Sequence, residues 1–570
     1  MYMFKNSIRT FSVTFLLIFF LIFPSQAQQF WADKYENGIV VSAEEMASQI
    51  GADILEKGGN AVDAAVAVNF ALAVTYPQAG NIGGGGFMMI HLANGENLAL
   101  DFREEAPRDA TKDLLLDSQG NYSKELARKS VLSSGVPGTV DGMLEALERY
   151  GNFPLDIVME PAIKLAKNGY KLSYHQARVL NNYADDFRKD PSSEKYFTPA
   201  EADSFETGDL FMQKDLGKTL ERISNFGRAG FYSGQTADMI VQTMEENDGI
   251  ISYLDLNKYK SVWRDPITTQ FGNYTLHMMP PPSSGGVVIA QIINMISDFD
   301  VKSMSFNSAQ YIHLLTESMK RAFADRNYFL SDPDFNNVPS EALASSFYNK
   351  KRLQNFSWST ATPADKISHG ELPAFEESYE TTHFSVVDKQ GNAVSVTTTL
   401  NSLFGNKIAV EGSGFLLNNE MDDFSAKPGE PNQFGLVQGK ANKIAPGKRM
   451  LSSMTPTLVT ENNKIRMVLG ASGGPRIITS VLQNFLNMAI FNMDIKKAIS
   501  APRFHNQWLP DKLFVEKNGI SVDTRQILRS KGHSIQEVSN LARNHNIFIN
   551  NYGVKTAAAD PRGNGSVAGY

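Results

Sequence analysis

Thr382-His383-Phe384-Ser385-Val386-Val387, Asp388-Lys389-Gln390-Gly391-Asn392 and Ala393-Val394-Ser395-Val396-Thr397-Thr398-Thr399 read as two alternating, β-branched runs around a polar turn. That is the signature of a β-hairpin. The residues before it, Ser357 to Glu380, are polar and contain Pro363, Gly370 and Pro373, so they read as a flexible linker. Thr381 therefore stands where a loop enters a strand.

Upstream of the hairpin, Ala43 to Val74 is rich in Ala, Val and Leu, at a spacing that predicts two packed helices joined at Gly58-Gly59-Asn60. In Asn81-Ile82-Gly83-Gly84-Gly85-Gly86-Phe87-Met88-Met89-Ile90 four glycines precede a strand-like run. The backbone there must turn tightly or approach something closely, and tight packing is the simpler reading. From about Asp109 to Asp365, helical patterns such as Val140 to Tyr150 and Ala309 to Phe329 alternate with polar loops. Pro280-Pro281-Pro282-Ser283-Ser284-Gly285-Gly286 resembles a phosphate loop, but no Gly-Lys-Ser/Thr follows, and it reads as a structural turn. No repeat with a period of roughly 20 to 50 residues is visible.

Of the 570 residues, 42% are hydrophobic and 20% charged. This balance suits a globular chain with an extensive core and excludes disordered and fibrous classes. Length alone leaves the domain count open. Lys5 and Arg9, the apolar run Phe11 to Phe23 and Ser25-Gln26-Ala27 read as a removable export signal over residues 1–27, its apolar part too short for a spanning helix. An exported protein, periplasmic or secreted and without a stable membrane anchor, is expected. Losing Lys5 and Arg9 with the signal takes the formal charge from -7 to -9, which suits no nucleic-acid partner. Cysteine is absent, so disulfides, thiolate nucleophiles and cysteine metal sites are excluded.

Nucleophilic catalysis would then use Ser, Thr, Lys or a carboxylate beside a base. Gly470-Ala471-Ser472-Gly473-Gly474 matches a nucleophile elbow, between strand-like Met467-Val468-Leu469 and helix-like Ile477 to Leu486, with His505 downstream. Against it stand the frequency of such short matches, Pro475 at the helix start and the lack of a glycine-rich oxyanion loop suitably upstream. The same glycines can instead offer backbone N–H groups to an oxyanion. The nine histidines show no metal-ligand spacing, His383 and His505 read as structural or surface residues, and the four-glycine run lacks the Rossmann fingerprint. No cofactor and no metal are expected.

Thr381-Thr382-His383-Phe384-Ser385-Val386-Val387-Asp388, Thr399-Leu400-Asn401, the stretch Phe415 to Phe424, Leu451-Ser452-Ser453-Met454-Thr455-Pro456-Thr457 and Gly473-Gly474 together resemble the gamma-glutamyltransferase family. Asn60-Ala61-Val62-Asp63-Ala64-Ala65, Ile82 to Phe87, Asp101-Phe102-Arg103-Glu104, Val136-Pro137-Gly138-Thr139 and Asp560-Pro561-Arg562 extend the resemblance over nearly the whole chain after the signal. It implies an N-terminal-nucleophile hydrolase of mixed α/β (α+β) class, a four-layer alpha-beta-beta-alpha sandwich. The precursor would cut itself between Glu380 and Thr381 into a large subunit, residues 28–380, and a small catalytic subunit, residues 381–570, which pair as a heterodimer.

The resemblance also implies roles. Thr381 would be nucleophile and, through its freed α-amine, general base; Thr399 would orient it; Gly473 and Gly474 would face the oxyanion. Arg103, Ser452 and Ser453 would bind the α-carboxylate of a gamma-glutamyl substrate such as glutathione, and Asn401, Glu420 and Asp423 its α-ammonium. Water, amino acids or dipeptides would accept the glutamyl group. Taken singly, Thr399 is an ordinary strand residue, Asp423 a turn cap and Arg103 a surface ion pair.

Two positions vary in the family pattern. Glu380 precedes the nucleophile where relatives differ, and Phe434, in a lid-like segment from Pro428 to Gly439, replaces a tyrosine found in some relatives. The alternatives are a cephalosporin or glutaryl acylase of the same fold and a non-catalytic periplasmic binding protein.

Overall fold

The computed structural model describes residues 32–370, 382–427, 433 and 440–570. The expected signal, Glu380, Thr381 and Phe434 lie outside the described residues. In chain order the strands of the two large sheets are β1 Lys34–Tyr35, β2 Ile39–Ser42, β3 Gly85–His91, β4 Asn97–Phe102, β5 Val262–Arg264, β6 Ile267–Phe271, β7 Tyr274–Met278, β8 Thr382–Val387, β9 Ala393–Thr399, β10 Thr457–Glu461, β11 Lys464–Leu469, β12 Ala471–Ser472, β13 Arg543–Ile549, β14 Lys555–Ala559 and β15 Ser566–Gly569. One sheet has the order β15-β2-β8-β9-β3-β4-β5, the other β1-β14-β13-β11-β10-β7-β6, with β12 also paired to β13.

The hairpin forms as expected, with Thr382 opposite Thr398 and Val387 opposite Ala393. Its turn has a second task. Asp388 accepts the N–H groups of Gly391 and Asn392, and also that of Ala61. The hairpin is thereby tied to the start of a helix over 300 residues away in the chain.

Strand alternation divides the apolar residues among three layers. Phe384, Val386, Val394 and Val396 pack into a core shared with the helices α1 Glu45–Glu56 and α2 Ala61–Thr75. Val387 and Ala393 face the other way and meet Leu458 and Val468 between the sheets. Met467 and Leu469 turn outward again, against α3 Gly285–Ile296, α4 Ala309–Phe329 and α5 Arg476–Ala489. Helix, sheet, sheet and helix thus stack as the expected four layers. Every residue of α2 is buried, as suits a predominantly apolar helix inside a large protein.

Between the sheets the filling changes along β8 and β9. Beyond Val387 and Ala393 come Ser385 and Ser395, then His383 and Thr397. Ser385 Oγ donates to the His545 carbonyl at 2.8 Å and Ser395 Oγ to that of Leu469 at 3.0 Å. The interior therefore turns polar toward one end of the hairpin.

The described part of the linker, Ser357 to Gly370, is mostly loop as expected, but it is held rather than loose; its remainder to Glu380 lies outside the described residues. Thr362 N–H donates to Glu317 of α4 at 3.1 Å, Ala364 N–H to Asp511 at 2.8 Å, and Gly370 N–H to Asp325 of α4 at 2.8 Å. Acids buried along α4, Glu317 and Asp325, supply two of these partners, which a local reading of the loop cannot reveal.

Candidate active site

Arg103 follows directly on β4, and Glu420 and Asp423 bracket a single 3-10 turn. The fold brings all three together. Arg103 Nη1 lies 2.7 Å from Glu420 Oε2 and 3.3 Å from Glu104 Oε2, its Nη2 donates to Asp423, and its Nε donates to the Met450 carbonyl at 3.2 Å. None of these side chains reaches solvent. Burial alone would lower the Arg103 pKa, but Glu420, Asp423 and Glu104 outweigh it and raise the value. The carboxylates move the opposite way. Burial pushes Glu104 up to about 7 despite Arg103, and it drives Glu420 well above the usual range. Three acids on one guanidinium leave an excess of negative charge, which a further cation would relieve.

Two buried acceptors point to the same kind of ligand. Glu104 Oε1 and Asn401 Oδ1 find no hydrogen-bond donor among the described residues, although buried polar atoms normally do. Asn401 stands just past β9 with φ 70°, a left-handed conformation uncommon outside glycine and typical of functional turns. Its N–H donates to Thr399 Oγ1 at 2.7 Å and its Nδ2 to the Asn419 carbonyl at 2.9 Å. The Thr399 hydroxyl also helps keep the Glu420 carboxylate charged. The close approach predicted for the glycine run occurs here. A Cβ on Gly84 would overlap the Thr399 carbonyl, and one on Gly85 would lie 2.7 Å from Glu104 Oε2.

Ser452 and Ser453, both buried, sit on a strand-like segment clamped by the Pro280–Gly286 turn. Ser452 N–H donates to the Pro282 carbonyl at 2.7 Å, Ser284 N–H returns a bond to the Ser452 carbonyl at 2.8 Å, and Ser283 Oγ donates to that of Met454. The turn is structural, as expected, yet it is also what holds the serines. Each serine oxygen already accepts a hydrogen bond, Ser452 from Met454 N–H at 3.1 Å and Ser453 from Arg326 Nη2 at 2.9 Å. The Ser452 hydroxyl proton can therefore go to an acceptor such as a carboxylate, and that of Ser453 has Ser284 Oγ, at 3.4 Å, as its alternative.

Gly473 and Gly474 form the expected turn between β12 and α5, with φ 135° and 64°. A Cβ on Gly473 would come within 2.7 Å of Ala542 Cα. Pro475 does not obstruct the helix: it caps α5 with φ -55°, as proline tolerates at a helix start. The serine-elbow reading fails instead at the histidine. His505 has Nδ1 on Thr479 Oγ1 at 2.9 Å and Nε2 on Gln507 Oε1 at 3.0 Å, and burial lowers its pKa to about 3. His383 is likewise engaged, by Thr397 Oγ1 at 2.9 Å and Ser385 Oγ at 3.0 Å, and its ring fills the space where a Gly470 side chain would stand.

The fold thus gathers Arg103, Glu420 and Asp423 into one cluster, sets Thr399 and Asn401 beside it, and pairs Ser452 with Ser453. Glu104, Ser284 and Arg326 join them without having been singled out. Tyr122 does as well, its hydroxyl donating to Asp422, whose pKa burial pushes up to about 7. Apart from this, His313, Glu317 and His533 offer ligand atoms within 4.8 Å of one another. Those atoms are already engaged: His313 Nδ1 meets His533 Nε2 at 2.7 Å, and Glu317 takes Arg321 Nη1 at 2.8 Å and Thr362 N–H.

Two antiparallel sheets between helical layers, with a glycine pair at a strand-to-helix turn, define the class: the chain has the sandwich of the N-terminal-nucleophile hydrolases. A cephalosporin acylase from Bacillus halodurans matches it with a TM-score of 0.85 at 27% identity, over 95% of this chain and 97% of that one. The gamma-glutamyltranspeptidase of Helicobacter pylori matches at 46% identity with a TM-score of 0.57, covering 58% of this chain and 95% of that chain. In sequence, the glutathione hydrolase proenzyme of Escherichia coli (strain K12) is 46% identical over 527 residues, 92% of this chain and 90% of its own length. The corresponding proenzyme of Pseudomonas aeruginosa is 42% identical over 542 residues, 94% and 95% of the two chains. The gamma-glutamyltranspeptidase family profile matches residues 47–570. The chain belongs to the gamma-glutamyltranspeptidase family, and it is an enzyme.

Proposed function

We propose that the protein hydrolyses gamma-glutamyl amides such as glutathione and transfers the glutamyl group to water, amino acids or dipeptides. The observation that carries this reading is the buried cluster of Arg103 with Glu104, Glu420 and Asp423, next to a buried serine pair whose hydroxyls can donate. A zwitterionic amino-acid head matches both: its ammonium replaces Arg103 on the acids, and its carboxylate takes Arg103, Ser452 and Ser453. Held so, the gamma carbonyl is presented to the nucleophile in one orientation.

In this reading the precursor is exported by residues 1–27, which are then removed. The Thr381 hydroxyl attacks the Glu380 carbonyl, an ester forms by N-to-O shift, and water releases residues 28–380 from residues 381–570. The freed α-amine then takes the hydroxyl proton when Thr381 attacks substrate, the oxyanion is met by the N–H groups of Gly473 and Gly474, and the amine of the substrate leaves. The gamma-glutamyl ester on Thr381 is resolved by water or an acceptor amine, with Thr399 orienting the nucleophile. Phe434 is assigned to the apolar cover over the glutamyl group.

Intact-mass measurement of the purified protein, followed by incubation with a gamma-glutamyl anilide, tests this. Two fragments separating at residue 380 and release of the anilide are expected; a single chain or an inert mixture contradicts it. A glutaryl anilide distinguishes the acylase alternative, which the likeness to the Bacillus halodurans enzyme keeps in view. Lacking the ammonium, it leaves the acid cluster unmatched, so its turnover should be far slower.

A further inference from the structure

The last turn of α4 ends against the serine pair. Arg326 is fully buried there, with Nε donating to Ser284 Oγ at 3.3 Å, Nη2 to Ser453 Oγ at 2.9 Å and Nη1 to Asn327 Oδ1 at 2.9 Å. A guanidinium offers five N–H groups and accepts nothing. Ser453 therefore cannot give its proton to Arg326. Ser284 Oγ lies 3.4 Å from Ser453 Oγ and donates its own proton to the Ser452 carbonyl at 2.8 Å.

We propose that Arg326 is a positioning and specificity residue: by occupying the acceptor side of Ser453 and supplying positive charge behind it, it makes the serine pair select a carboxylate over a carboxamide. This rests on the reading of Ser452 and Ser453 as the α-carboxylate donors. A free serine hydroxyl is ambivalent and could accept an amide N–H. Arg326 and the Met454 N–H each take one lone pair of the two serine oxygens and turn the hydroxyl protons toward the ligand, so an amide NH2 placed there faces those protons and is poorly paired, which a buried site disfavours.

The test compares kcat and KM for a gamma-glutamyl anilide and for its α-carboxamide analogue, in the wild type, R326K, S453A and the double variant. Lysine keeps the charge but not the fork. R326K is expected to raise KM for the carboxylate substrate about tenfold, with kcat within about twofold and the carboxamide barely affected, so the preference falls about tenfold. Adding R326K to S453A should cost little more, because Arg326 acts through that hydroxyl; a merely structural role would give additive losses. R326Q should lose more of the preference and regain part of it with added guanidinium ion. Appearance of both cleavage fragments reports folding, and if R326Q does not fold, R326K decides. A preference in R326K within about twofold of wild type, or equal losses on both substrates, overturns the proposal. A wild type that ignores the anilide, or shows no carboxylate preference, overturns the underlying substrate reading instead.

Discussion

Arg103 and Glu420 face each other at 2.7 Å with neither side chain open to solvent. Glu104 and Asp423 share the same guanidinium. Burying one guanidinium with three acids is costly, and their attraction offsets only part of that cost. The cluster is therefore poised for exchange: an incoming zwitterion offers the acids a second cation and Arg103 a replacement carboxylate without changing the net charge.

Arg103→Met should be severely destabilised, by about 3–5 kcal/mol, because it strands three buried carboxylates. Arg103→Lys keeps the charge but not the two-point fork. It should fold and cut itself, with KM for a gamma-glutamyl anilide raised about tenfold or more. Calorimetry and steady-state kinetics check the pair; an unchanged KM in Arg103→Lys would remove this residue from substrate binding.

Thr381→Ala should remain one chain and show no turnover, since self-cleavage and substrate attack use the same hydroxyl. Thr381→Ser keeps that hydroxyl and the later amine, and should retain part of both activities. Gel analysis and anilide release read the two outcomes. Fragments cut at residue 380 in the alanine variant would refute the nucleophile assignment.

The pH dependence of kcat/KM should follow the raised carboxyls. With Glu104 and Asp422 near 7, protons compete with the ligand ammonium below that value, so kcat/KM should rise between about pH 6 and 8. The Tyr122 hydroxyl lowers the Asp422 pKa, so Tyr122→Phe should move the acid limb to higher pH. Stability runs the other way. A carboxyl raised from 4.5 to about 7, as for Glu104, holds a proton in the folded state that the unfolded chain has released, so its contribution to stability falls as pH rises through that window. A Tyr122→Phe profile identical to wild type would separate Asp422 from substrate binding.

Gly473→Ala should lose both self-cleavage and turnover. Its φ of 135° suits no L-residue with a side chain, and the new methyl would meet Ala542 Cα at 2.7 Å. Gly474, at φ 64°, lies in the ordinary left-handed region, where alanine costs about 1–2 kcal/mol. Gly474→Ala should fold and keep measurable activity. Thermal melts and cleavage gels distinguish the two; equal behaviour would mean that the turn relaxes freely.

Much of the scaffold was readable because its signals are local. The β8–β9 hairpin follows from alternation about Asp388–Asn392, α4 from its apolar spacing, and the close approach of Gly84 from the lack of a side chain. The site was legible only where short motifs carried it. Arg326 lies 127 positions from Ser453, and Tyr122 300 positions from Asp422, and no periodicity reports such pairings. Pro475 shows the converse error: a residue read locally as a helix obstacle becomes a cap once the preceding glycines set the direction of entry.

In the first sheet β2 lies between β15 and β8, and in the second β14 is flanked by β1 and β13. A break of the chain at residue 380 would thus leave two pieces that interlock, each threaded through sheets the other completes. Such a cut changes which atoms are chain ends without giving either fragment a separable fold. The pieces should co-elute under native conditions and part only on denaturation. Once unravelled they would have to find each other while folding, since neither contains a full set of neighbours for its own strands. Maturation of this kind is one-way: the intact chain is the template for an assembly that its products cannot readily rebuild.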